Sequence, residues 1–187
     1  MSSRAPLLII FLTVFIDLLG FGMVLPLLPI YAKQFDASGM TIGLLMSSFS
    51  AMQLLSDRVG RRPVLMVGLT GSVVFYALFG WATVEQSMTL MFVSRIGAGI
   101  AGATISTAQA YIADCTTLDT RARGMAMIGA AFGLGFTFGP LFGYLAVPSG
   151  VGDPGPGPGY AAAALSAVAL LLAFFKLPEA LSDRSKP

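Results

Sequence analysis

The sequence contains no histidine and only one cysteine, Cys115. Without histidine, zinc-protease motifs, Ser-His triads and haem ligation by histidine are excluded together. With one cysteine, so are a disulfide within the chain and a cysteine-cluster metal site. Charge is scarce too: Asp, Glu, Lys and Arg make up 11% of the residues, against about 25% in soluble domains. No nucleophile–base set or metal cluster stands out, so the chain offers no catalytic residues and no metal ligands, and an enzyme is the poorest reading. No nucleic-acid partner is expected.

What fills the chain instead is apolar. Hydrophobic residues account for 56%, gathered in runs near or above the length of about 18 residues that marks a membrane helix. The runs are continuous rather than alternating, which argues against a membrane β-barrel. The start, Arg4 followed by Leu7 to Ile16, mimics a signal peptide. The apolar run continues past Asp17 to Tyr31 without an Ala-x-Ala site, however, and reads as an uncleaved first span. An all-α membrane protein is predicted, with the lipid bilayer as its surroundings and spans over 7–31, 42–55, 64–84, 88–112, 125–147 and 160–177. The second span is short. Ile42 to Leu55, with Ser38 as a plausible N-cap, rises only about 21 Å against a hydrocarbon core of about 30 Å. A Pro/Gly-rich connector, Val147 to Gly159, precedes the last span.

Lys and Arg are distributed unevenly about these spans. Arg4, Arg58, Arg61, Arg62, Arg121, Arg123, Lys176, Arg184 and Lys186 fall on one side, Lys33 alone on the other, and Arg95 within a span. The bias places both termini in the cytoplasm of a multi-pass protein of the inner (plasma) membrane.

Five stretches stand out against the apolar background. Ser56-Asp57-Arg58-Val59-Gly60-Arg61-Arg62-Pro63 concentrates charge between two uncharged flanks and reads as a tight hairpin, with Gly60 turning the backbone and Pro63 suiting the first turn of the next helix. A plain positive-inside anchor would need the arginines but neither Asp57 nor Gly60. Asp17 lies deep in span 1, where a carboxylate must face the bundle interior or a cavity. There it is either a proton carrier or a structural partner of Arg95 in span 4, and the two roles are compatible. Counting residues puts Asp17 and Arg95 at depths that differ by about 5 Å. Gly97-x-Gly99-x-x-Gly102 spells a dinucleotide fingerprint but lies inside a hydrophobic span rather than after a strand, and is rejected. In span 5, Gly135, Gly139 and Gly143 recur every four residues, with Pro140 able to kink the helix. Span 3 places Gly68, Ser72, Tyr76 and Gly80 on one face, which reads as a packing seam.

Asp-Arg-x-Gly-Arg-Arg between two apolar spans resembles the loop joining helices 2 and 3 of the major facilitator superfamily, and most of all that of its drug:proton antiporters, tetracycline-efflux carriers included. Pro26-Leu27-Leu28-Pro29 is similar to the close of their helix 1, Arg95 with Gly99 to their helix-4 motif, and Gly-x-x-x-Gly-Pro-x-x-Gly to their helix-5 signature. The resemblance implies a six-helix N-terminal bundle over 1–179, with 180–187 beginning a cytoplasmic linker. It implies antiport of a small drug-like substrate against protons as the coupling ion, with no other cofactor. Asp17 and Arg95 would serve proton coupling. Asp57, Arg58, Gly60, Arg61 and Arg62 would form the cytoplasmic gate with Asp114, Arg121 and Arg123 of the second hairpin, Asp114 partnering an arginine of the first. Gly135, Gly139, Pro140 and Gly143 would form the antiporter motif.

The chain also departs from the family. Gln53 stands where a glycine is usual, Tyr144 where a further glycine is common, and span 2 looks shortened by an internal deletion. The second six-helix half is expected as a separate chain or a homodimer. Lacking it, the faces bearing Arg95–Gly99 and Gly135–Gly143 are expected to look outward to lipid. The alternative reading is a non-transporting membrane subunit, or a truncated half-carrier, that packs against partner helices.

Overall fold

A computed structural model describes residues 4–34, 38, 40, 61–101, 104–147 and 154–177. Regular structure among them is helical: α1 (Arg4–Val24), a 3-10 turn (Leu25–Leu27), α2 (Leu28–Gln34), α3 (Arg61–Val84), α4 (Met88–Ala101), α5 (Thr104–Cys115), α6 (Leu118–Leu145) and α7 (Gly157–Lys176). The short second span expected over 42–55, and with it Asp57, Arg58 and Gly60, lies outside the described residues. Five helical stretches among the described residues are long and apolar enough to cross a membrane: Leu7–Tyr31, Arg62–Val84, Met88–Cys115, Leu118–Leu145 and Gly157–Lys176.

Local sequence explains where these helices bend and begin. Pro26, which has no N–H to donate, falls in the 3-10 turn after Val24, and the helix then resumes to Gln34 rather than ending. Tyr31 fixes the resumed segment by donating from its hydroxyl to the Gly155 carbonyl at 2.6 Å and by packing edge-on against Phe79. The helix of the fifth span starts at Leu118, well before the apolar run at Met125, because it is capped. Thr120 Oγ1 accepts the Thr117 N–H at 3.2 Å, and Asp119 places a negative charge in the first turn. α7 begins at Gly157, inside the expected connector, with Pro156 before it and Pro158 in its first turn, where a missing N–H costs nothing.

The bundle is organised around α1, which packs chiefly against α6 and α7, while α3 packs against α7 and α4. In a membrane the surroundings are as apolar as the side chains, so helices associate through close packing and interhelical hydrogen bonds rather than through the hydrophobic effect. Two buried clusters result. One joins Ile10, Val14 and Leu18 of α1 to Leu65, Leu69, Tyr111, Ile112 and Ile128. The other joins Val24, Leu28 and Tyr31 to Phe79 and Met91.

The face of α6 that carries Gly135, Gly139 and Gly143 is the one seated on α1. A Cβ at Gly135 would come within 2.9 Å of Leu18 Cβ, one at Gly139 within 2.5 Å of the Gly22 carbonyl carbon, and one at Gly143 within 3.2 Å of the Met23 carbonyl oxygen. The expectation that this face looks outward therefore does not hold. Its small residues are occupied by α1, and the large residues Phe132, Phe138, Leu141 and Leu145 face outward instead. A matching approach joins α3 to α7, where a Cβ at Gly159 would lie 2.6 Å from the Gly80 nitrogen.

Candidate functional site

Asp17 sits on α1 with 9% of its surface exposed. Ser166 of α7 donates from Oγ to Asp17 Oδ1 at 3.4 Å, and the Ser72 and Thr104 hydroxyls are its other close polar neighbours. The surrounding helices thus each contribute one hydroxyl: α3 through Ser72, α5 through Thr104 in its first turn, and α7 through Ser166. Ser166 and Thr104 are buried. Ser166 makes the hydrogen bond and Thr104 Oγ1 is buried without one; a hydroxyl suits this place because it can donate to the carboxylate or turn to accept when the group is protonated. A cation in their stead would hold the carboxylate in its charged form.

Arg95 sits on α4 and is 1% exposed. Its guanidinium carbon lies 5.7 Å from the centroid of the Phe21 ring, which itself packs edge-on against Phe136 of α6 at 5.6 Å. A guanidinium over an aromatic face is stabilised by the ring quadrupole, most strongly where water is excluded. The expectation that the Arg95–Gly99 face looks to lipid is thereby corrected as well: Arg95 is enclosed and Gly99 is buried. Nearby, a Cβ at Gly97 would overlap the Phe75 ring, so this glycine is what lets α3 and α4 approach.

The two charged groups share a neighbour. Tyr76, 3% exposed, lies within electrostatic range of both Asp17 and Arg95. Tyr76 and Ser72 are one helical turn apart on α3 and so face the same way. The residues Gly68, Ser72, Tyr76 and Gly80 are all buried. Their face serves two purposes: Gly80 packs against α7, while Ser72 and Tyr76 complete the polar site. In the sequence the whole stripe reads as packing, and Thr104 and Ser166 belong to no motif. The available signal was a hydroxyl residue within an apolar span, repeated in three of them.

The remaining candidates lie at the helix ends. Arg62, in the first turn of α3, donates from Nη2 to the Phe174 carbonyl in the last turn of α7 at 3.0 Å. Arg121, in the first turn of α6, donates from Nη2 to the Ala113 carbonyl near the end of α5 at 2.9 Å. Both put a positive charge on carbonyls that a helix C-terminus leaves without intrahelical partners. Asp114 lies in the last turn of α5, half-buried, and Arg123 is exposed on α6. Arg61 opens α3. Pro140 lies within α6 on its exposed side, next to the buried Gly139. The structure thus brings Asp17 and Arg95 into one interior region. It brings Gly135, Gly139 and Gly143 onto α1, behind that region, and leaves Arg62, Arg121, Arg123 and Asp114 at the ends of helices.

The interior of a bundle of helices long and apolar enough to cross a membrane thus holds a carboxylate among hydroxyls and a guanidinium over an aromatic ring. The profile of the Major Facilitator Superfamily matches residues 10–187, and the chain belongs to that family of multi-pass membrane transporters. It is 35% identical to the tetracycline resistance protein, class C, of Escherichia coli, over all of this chain and 48% of that protein. It is 32% identical to multidrug resistance protein 2 of Bacillus subtilis, over 97% of this chain and 46% of that one. Among solved structures, the human organic anion transporter MFSD10 (TETRAN) superimposes with a TM-score of 0.77 at 30% identity, covering 97% of this chain and 49% of that chain. The chain spans about half the length of the curated relatives it matches. The class C alignment extends over 198 positions, more than the 187 residues of this chain, so that relative has residues with no counterpart here.

Proposed function

We propose that this chain is one six-helix half of a proton-coupled antiporter that exports a small, drug-like compound. The observation that carries the reading is the setting of Asp17, a buried carboxylate whose close polar neighbours are hydroxyls from three other helices. A carboxylate held this way can take up and release a proton with little rearrangement, because the hydroxyls can rotate to serve either form. Arg95, enclosed on α4 and, like Asp17, within electrostatic range of Tyr76, supplies a positive charge in the same interior region. Protonation of Asp17 then changes the local charge balance from neutral to net positive. That change favours a different helix arrangement or the release of a cationic substrate. The names of the relatives, tetracycline and multidrug resistance proteins, support an amphipathic drug as cargo.

The remaining assignments belong to the same reading. Both termini lie in the cytoplasm of an inner-membrane protein, from the bias of Lys and Arg. The hairpin residues Asp57, Arg58, Gly60, Arg61 and Arg62 act with Asp114, Arg121 and Arg123 as the cytoplasmic gate. A second six-helix half, on the same or another polypeptide, supplies the other wall of the substrate path, since alternating access needs two bundles rocking about a site they both line.

The test is to fuse this chain to the C-terminal half of the class C tetracycline resistance protein and measure proton-driven tetracycline uptake into inverted vesicles. Uptake that the Asp17→Asn substitution abolishes is the expected outcome. A membrane-inserted fusion whose uptake ignores Asp17→Asn, or one that transports nothing, overturns the reading.

A further inference from the structure

A crevice at the membrane surface lies apart from the polar site and takes one residue, Arg62, from the proposed gate. It opens between the start of α3 and the end of α7, has a volume of about 280 Å³, and is lined by Arg62, Pro63, Met66 and Phe174. Arg62 is the first residue of the Arg62–Val84 membrane-spanning stretch, and Phe174 lies in the last turn of the Gly157–Lys176 stretch. The crevice therefore sits where hydrocarbon gives way to headgroups. Its lining changes character in the same direction, with Met66 and the Phe174 ring on the membrane side and a guanidinium at the rim. We propose that it binds one anionic phospholipid, whose phosphate rests on Arg62 and whose upper acyl segment rests on Met66 and Phe174.

Three features support this occupant. The hydrogen bond from Nη2 to the Phe174 carbonyl fixes the guanidinium at the crevice while using one of its five N–H donors. A planar guanidinium so held presents its remaining edge to a phosphate in the geometry it prefers. Lys176 adds a second exposed positive charge in the last turn of α7, two residues beyond Phe174. Finally, Phe174 and Phe175 are both exposed and stack edge to face at 5.2 Å, an apolar surface standing at the level of lipid chains. Basic pockets between membrane helices recognise anionic headgroups through this combination of charge and depth. The leaflet depends on the orientation proposed above; the site itself does not.

The experiment uses the purified chain in non-ionic detergent, with bound lipid counted by native mass spectrometry during titration with phosphatidylglycerol, phosphatidylcholine and inorganic phosphate. One phosphatidylglycerol should be retained in preference to phosphatidylcholine. Arg62→Gln should weaken retention about fivefold, the loss expected for one basic side chain at an anionic surface. Met66→Trp fills the crevice while keeping the guanidinium, and should weaken retention as well; if Arg62→Gln fails to fold, this variant decides. Equal retention of the two lipids, or retention unchanged by Met66→Trp, overturns the proposal. So does inorganic phosphate displacing the lipid at comparable concentration, which would make the crevice a simple anion site.

Discussion

Gly139 of α6 and Gly22 of α1 meet backbone to backbone: a Cβ built on Gly139 would stand 2.5 Å from the Gly22 carbonyl carbon and 2.7 Å from its Cα. Neither neighbour is a flexible side chain that could turn away, so an added methyl must push the helices apart. We predict that Gly139→Ala destabilises the chain by about 1–3 kcal/mol, the usual cost of overpacking a close contact. Gly133 lies on the outward side of the same helix, where an added Cβ would meet nothing within 4 Å, and Gly133→Ala should be neutral or slightly stabilising. Thermal unfolding of both variants in detergent checks the contrast. Equal midpoints for the two would mean that α1 and α6 do not approach this closely.

Asp17→Asn keeps the size of the side chain and can still accept from Ser166, so the bundle should fold as before. What it removes is the exchangeable proton. In the vesicle assay, uptake driven by a proton gradient should fall to background, while exchange of substrate down its own gradient persists. Ser166→Ala, which loses a single long hydrogen bond of 3.4 Å, should reduce uptake only modestly. An Asp17→Asn variant that still accumulates substrate against its gradient would falsify the proton-carrier role.

Arg121 caps a helix to which it does not belong. Its Nη2 donates to the Ala113 carbonyl at 2.9 Å, across the hairpin that joins α5 to α6. Arg121→Gln shortens the side chain and removes the charge that complements the end of α5. A loss of about 0.3–1 kcal/mol follows, with hydrogen exchange accelerating in the last turn of α5 first. Exposed Arg123 has no such position, and Arg123→Gln serves as the comparison. If both substitutions cost the same, the contact to Ala113 contributes nothing specific.

The helical class and the family were legible in the sequence because apolar runs and short charged motifs are local signals. Asp17, Arg95 and the Gly135–Gly139–Gly143 series stood out for the same reason, each being rare in its setting. Which way those residues face was not legible. The glycine series fits either a surface awaiting a partner or one already filled, and only the pairing with Gly22, more than a hundred residues away in the chain, decides for the second. The hydroxyls around Asp17 escaped notice because serine and threonine are common in membrane helices, where they often bond their own backbone, as Thr13 does to Ile9. Ser72, Thr104 and Ser166 become a site only when three helices bring them to one carboxylate. Capping likewise extended α6 to Leu118, beyond what hydropathy alone marks.

With Gly135, Gly139 and Gly143 turned to α1, α6 shows the outside a different surface. Gly129 and Gly133, one turn apart, are open there, with exposed Thr137 a further turn along the same side. Under the half-carrier reading this surface meets the second bundle, and the small residues are where a partner helix can approach closely. Gly133→Leu should then leave the thermal midpoint of the isolated chain unchanged, because an added Cβ there meets none of the described residues. In the fusion with the class C C-terminal half, the same substitution should cost most of the proton-driven uptake, since the leucine stands where the two bundles must slide. The isolated 187-residue chain, reconstituted in liposomes without a second half, should show no such uptake. Robust flux from the isolated chain that tolerates Gly133→Leu would mean that α6 meets only lipid, and that six helices suffice for transport.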